Sequence, residues 1–144
     1  MLMNKEELVK SLGKKFKYRY DTEQYASRDA WFIMREETAK GKLEGDCEDF
    51  ALTLLWHISG ESYVKFWWNL ISRKAKICYC YIDTTDRGHA VLRYDGDQYA
   101  DNIQKKFVSK REMENKKYVF SRWMFLPSTV AIKLLMGKFI KSRL

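Results

Sequence analysis

The chain has 144 residues, 46% hydrophobic and 15% aromatic, which is material for one packed domain spanning 1–144. One proline and seven glycines exclude a linker-rich or disordered chain. The net charge is +8, but the basic residues are scattered and no recognised nucleic-acid motif accompanies them, which argues against a nucleic-acid partner. A solvated basic surface is the plain reading of that charge, and a preference for acidic partners the sharper one.

The first residues carry charge but no apolar stretch, so no signal peptide is expected there. No apolar run approaches the ~20 residues that span a bilayer, so no transmembrane segment is expected. Three cysteines, an odd number, point to reduced thiols and hence to a cytoplasmic setting. If the protein is phage-encoded, that setting is the cytoplasm of an infected host.

In chain order, residues 4–12 read as a short amphipathic helix stopped at Gly13. Residues 27–40 read as a second, with Ser27 as cap, Trp31, Ile33 and Met34 as apolar positions and Gly41 as stop. A third covers 46–59. Asp46 reads as its N-cap, Asp49 completes a capping-box-like signature, and Phe50, Leu54, Leu55 and Ile58 fall at helical spacing before Ser59-Gly60. The aromatic stretch 61–73 fits a further helix or a covering loop over the site, core packing being the commoner cause of such clusters.

Strands are expected over 75–83, 89–95, 98–103 and 117–125. Both faces of the first are fairly apolar, as in a central strand, and Cys78 and Cys80 share one of them as sheet-face residues. The spacing of these two cysteines is not that of a zinc pair. Pro127 closes the last strand and a final helix covers 128–141, more apolar than basic. Helices first and antiparallel strands second predict an α+β fold.

The chemistry concentrates in Gly45-Asp46-Cys47-Glu48-Asp49-Phe50-Ala51. Cys47 falls in the first turn of its helix, where unpaired N–H groups and the dipole favour thiolate. Of two histidines, His57 lies ten residues further along the same helix, about 15 Å away at ~1.5 Å rise per residue. His89 instead opens a strand after the turn Asp86-Arg87-Gly88. The turn Asp95-Gly96-Asp97 then leads back to Tyr99-Ala100-Asp101-Asn102. In that hairpin His89 and Asp101 sit near the same end of neighbouring strands, a base with an orienting carboxylate.

These three segments, Gly-Asp-Cys-Glu-Asp-Phe-Ala, Gly88-His89-Ala90-Val91 and Tyr99-Ala100-Asp101-Asn102, resemble the transglutaminase-like branch of the papain-like superfamily, closest to the bacterial transglutaminase-like cysteine proteinases. The resemblance runs from about Trp31 to Asn102. It implies a nucleophile helix packed on an antiparallel sheet, with Cys47 as nucleophile, His89 as general base and acid, and Asp101 as the group orienting the imidazole. Members of the family are longer and typically exported, so substrate and compartment are not carried by the resemblance.

The implied activity is a cysteine protease or amidase cleaving a peptide or isopeptide bond of a protein or peptide through an acyl-thioester. An amine acceptor in place of water would make the same triad a transglutaminase or acyltransferase. From another class, a small basic phage or mobile-element protein would act by binding a host protein or nucleic acid, though binding alone gives no reason for a triad. The Cys47 N–H is one expected oxyanion donor, and Trp31 and Gln24 are upstream candidates for the second. The triad itself requires no cofactor. Asp46, Glu48 and Asp49 crowd negative charge around the sulfur, which raises a thiol pKa unless they face away or a cation compensates. Capping is the plain reading. Calcium is the alternative, supported by the related proteases, in which carboxylates flanking the cysteine bind it. Oligomeric state has no signature in the sequence.

Overall fold

The computed structural model describes residues 4–18, 33, 43–45, 47–82 and 88–143. The helix expected over 27–40 therefore lies outside the described residues, as do Gln24, Trp31, Asp46 and the turn before Gly88.

Helix α1 covers Lys5–Lys15. The Asn4 side chain caps it by accepting the Glu7 N–H at 2.9 Å, with Glu6 and Glu7 at its positive end and Lys14 and Lys15 at its negative end. It runs through Gly13 rather than stopping there. Gly13 is buried, and a Cβ on it would sit 2.9 Å from the Lys105 side chain, so this glycine serves close packing and not a left-handed cap.

Strand β1 (Phe16–Tyr18) pairs in parallel with β2 (Leu43–Gly45), which leads into helix α2 (Cys47–Ile58). From Phe50 to Leu55 every side chain of α2 is fully buried, as in a helix enclosed by its neighbours on all sides. Each Leu or Phe of that run contributes roughly 1.5–3 kcal/mol by leaving water. Helix α3 (Tyr63–Ile71) follows, its N-terminus capped by Ser62. Of the stretch 61–73, Tyr63–Ile71 is thus a helix; Phe66 and Leu70 enter the core while Val64 and Trp68 remain in solvent. It packs on α2, on the C-terminal helix and on β3, which it feeds at the Ala75 end, away from Gly88.

The sheet is antiparallel, with strands β3 (Ala75–Ile82), β4 (Gly88–Tyr94), β5 (Tyr99–Ala100) and β6 (Tyr118–Phe125) in the order β5-β4-β3-β6. The strand over 75–82 is internal, as its two apolar faces predict. The β4–β5 turn places Asp95 and Gly96 at positive φ, 51° and 97°, the conformation that Asp-Gly favours in hairpins. The β3–β6 register shifts between Cys78 and Cys80, a bulge. Helix α4 (Lys110–Asn115) has no counterpart among the predicted elements. Its six residues bury only Met113, too little to leave a periodic signal. Pro127 opens helix α5 (Pro127–Arg143) at the position where its missing N–H costs nothing.

Strand alternation divides the core into two layers. Ala75, Ile77, Ala90, Leu92 and Ala100 face α2 and pack with Cys47, Phe50 and Leu54. Cys80, Val91, Tyr99 and Tyr118 point the other way and pack with Val108 and Met113.

Candidate active site

Cys47 is the first residue of α2 and only 5% exposed. The chain enters this turn from β2, and the Phe16 ring on β1 meets the Phe50 ring edge to face with centroids 5.0 Å apart. The thiol donates to Glu48 Oε2 at 3.2 Å. The next carboxylate, Asp49, is fully buried. A sulfur placed here borders the open N–H groups of the helix start, which suits a thiolate and an oxyanion alike.

His89 and Asp101 meet as the hairpin predicts. The Nε2–H of His89 donates to Asp101 Oδ2 at 2.8 Å. Asp101 has zero exposure and His89 only 7%. Oδ2 also accepts the Tyr118 hydroxyl at 2.6 Å, and Oδ1 accepts the Gln104 backbone N–H at 2.7 Å. The buried carboxylate is thereby satisfied at both oxygens by three donors, which is what makes its burial tolerable. With Nε2 bound to a carboxylate acceptor, a neutral imidazole carries its proton there and leaves Nδ1 as the lone pair for chemistry.

Burial and the Asp101 charge push the Tyr118 phenol upward, so it remains a proton donor. Burial, then Asp101 and Cys78, push the Cys80 thiol up to about 12. Cys80 is cross-strand neighbour to His89 and shares its face, but as a neutral thiol it adds no charge to the pair.

The register puts the His89 side chain on the face with Tyr118, while its neighbour Ala90 faces α2. Cys47 belongs to the α2 side. The Tyr79 phenol connects the two regions. It is raised first by a hydrogen bond with Tyr81 and by burial, and then by the Tyr81, Glu48 and Cys47 charges. A Cβ on Gly88 would lie 1.8 Å from its oxygen. Tyr79 thus covers the Gly88 backbone, one residue before His89, within electrostatic reach of the thiol.

His57 stands apart, at the far end of α2, with Nδ1 3.3 Å from Glu61 Oε1. None of the three cysteines is in a disulfide. Among the described residues no three His, Cys, Asp or Glu side chains come together as a metal cluster. Sequence reasoning did not find Tyr118, Gln104 or Tyr79. Each lies outside the three motifs, and Tyr118 reaches the site only because β6 returns beside β3.

No family model and no curated protein matches the chain. Solved structures do. EGTA-treated LapG of Legionella pneumophila superposes with a TM-score of 0.61 at 19% identity, covering 94% of this chain and 77% of LapG. A second structure of LapG gives 0.56 at 23%, covering 84% and 62%. Calcium-bound LapG gives 0.55 at 23%, covering 85% and 67%. The chain thus spans between 62% and 77% of the LapG chains it matches. It has the mixed helix and antiparallel-sheet architecture of the transglutaminase-like, papain-like fold.

Proposed function

We propose that the chain is a cysteine hydrolase cleaving a peptide or isopeptide bond, with Cys47 as nucleophile, His89 as base and acid, and Asp101 as the orienting carboxylate. The observation that carries the reading is the buried His89–Asp101 bond, which commits Nε2 and frees Nδ1. A cysteine on a helix start beside the same strand end supplies the nucleophile. Thiol and imidazole belong to opposite faces of β4, so on this reading they meet around the Gly88 end of the strand, beside Tyr79.

The steps follow from these groups. Thiolate attacks the carbonyl carbon and the carbonyl electrons move to oxygen, facing the Cys47 N–H. The intermediate collapses as imidazolium Nδ1–H protonates the departing amine, leaving an acyl-thioester. Water then attacks the thioester, giving its proton to Nδ1. Thiolate leaves and the carboxylic acid product forms. Asp101 holds the ring through both proton transfers. Trp31 and Gln24 remain the candidates for a second oxyanion donor.

Calcium binding belongs to the same reading. Hard oxygen ligands suit it, and the half-buried Glu48 beside the sulfur supports the reading, in which Asp46 is its companion ligand. Asp49 fits less well, since its side chain is fully buried and a cation on its oxygens would have to give up its water ligands. A bound cation there would offset carboxylate charge near the thiolate. The substrate class is a protein or peptide, with acidic ones favoured by the +8 charge. Three cysteines outside any disulfide suit a reducing, cytoplasmic compartment. No helix among the described residues is long and apolar enough to cross a membrane.

The test compares wild type with Cys47→Ala on lysate proteins at low and high salt. Cleavage that requires Cys47 supports the hydrolase, and loss with salt supports acidic substrates. Iodoacetamide is expected to label Cys47 ahead of Cys78 and Cys80. Full biological effect retained in Cys47→Ala would overturn the enzyme and leave a binding protein.

A further inference from the structure

The hydrogen bonds around Asp101 extend beyond the pair in one direction. Lys116 Nζ, exposed, donates to Gln104 Oε1. Gln104 Nε2 donates to the Tyr118 oxygen at 3.4 Å. Tyr118, 3% exposed, donates to Asp101 Oδ2 at 2.6 Å, and His89 donates to that same oxygen. Donors therefore point from a surface ammonium toward a buried carboxylate, each polarising the next. The Tyr118 and His89 rings also meet edge to face, with centroids 5.9 Å apart.

We propose that Tyr118, backed by Gln104, is a positioning residue that holds the Asp101 carboxylate and thereby the orientation and tautomer of His89. This rests on the reading of His89 as the base. Two donors on Oδ2 and a backbone N–H on Oδ1 leave the carboxylate one orientation. Without the Tyr118 hydroxyl, Oδ2 keeps only its bond to the imidazole and Oδ1 its bond to the Gln104 N–H, so the carboxylate, and the ring bonded to it, are held less tightly. The hydroxyl also withdraws charge from Oδ2, so that the shared proton stays on nitrogen. Tyr118, almost wholly buried, acts through Asp101. The groups facing the pair from the packed elements are Cys80 on β3, Tyr118 on β6 and, through Gln104, Lys116.

Tyr118→Phe keeps the ring and removes only the hydroxyl. In the Cys47→Ala background, nitrogen and proton NMR of His89 should show protonated Nε2, slow to exchange with water. Tyr118→Phe should speed that exchange and populate the Nδ1–H tautomer. In the otherwise wild-type protein the same change should lower kcat about tenfold, the equivalent of one net hydrogen bond, with KM unchanged. Gln104→Met keeps the backbone N–H to Asp101 and should produce a smaller shift in the same direction, which also decides the matter if Tyr118→Phe does not fold. Imidazole signals identical to wild type in the folded variants would overturn the proposal. The NMR readout needs no turnover, so a failure of the hydrolase reading would show separately, as activity indifferent to Cys47.

Discussion

His89 and Asp101, twelve residues apart, are joined by a 2.8 Å bond whose acceptor oxygen is also bound by a third strand through Tyr118. The carboxylate has no spare donor and no solvent. Asp101→Asn therefore sets an amide N–H2 against hydrogens that now converge on oxygen. The buried mismatch should cost about 1–3 kcal/mol in denaturant unfolding. If the amide donates to Nε2, the ring proton moves to Nδ1, the wrong nitrogen for accepting one. Turnover should fall on the order of 10²-fold without vanishing. Cys47→Ala and His89→Ala should abolish turnover and leave the fold intact. Undiminished rate in Asp101→Asn would remove the carboxylate from the mechanism.

The hairpin that makes this bond was legible because its signals are local. Asp95-Gly96 dictates the turn, and alternation then fixes which side chains share a face. The burial of α2 and the interior position of β3 were equally legible from apolar spacing. Tyr118 was not, since its place depends on β6 crossing to the far side of β3, a long-range pairing with no local code. Gly13 misled for a related reason. A glycine that ends a helix and one that admits a neighbouring side chain look alike in sequence, and only the approach of Lys105 separates them.

Gly88 is a second glycine kept by a neighbour. A Cβ there would overlap the Tyr79 hydroxyl at 1.8 Å and its ring carbons at 2.4 and 2.7 Å. Gly88→Ala must move the ring, at a cost of about 1–3 kcal/mol in thermal or denaturant stability. Tyr79→Phe removes only the oxygen and should not restore it. Tyr79→Leu in the same chain clears the ring and should recover much of the loss. Equal stability of Gly88→Ala and wild type would show that Tyr79 does not cover this backbone.

His57 gives the fold a pH dependence separate from the site. Burial lowers its pKa below the ordinary 6.5, against the opposing pull of Glu61. The unfolded chain therefore binds the proton more readily than the folded one. Stability should be undiminished by this group above 6.5 and fall as pH drops from 6.5 to the depressed folded value, flattening below it. The measurement is the unfolding free energy of wild type minus that of His57→Gln across pH 5–8. The difference should shrink on acidification within that window. A difference that grows toward low pH would mean the Glu61 ion pair wins over burial.

The three carboxylates at the head of α2 should separate by their response to calcium. If Asp46 and Glu48 hold the ion, EGTA lowers both the melting temperature and the activity, and added calcium restores them. At free calcium about 100 times Kd, the bound ion stabilises the fold by about 2.7 kcal/mol. Glu48→Gln and Asp46→Asn should then melt as the EGTA-treated wild type does, with or without calcium. Asp49 should behave differently. Its side chain is fully buried, so Asp49→Asn disturbs a packed polar contact and lowers stability in either condition, while the calcium increment persists. Melting and activity unchanged by EGTA would return Asp46 and Glu48 to capping and solvent. Loss of the calcium increment in Asp49→Asn alone would place the ion deeper than Glu48, on the carboxylate that burial argues against.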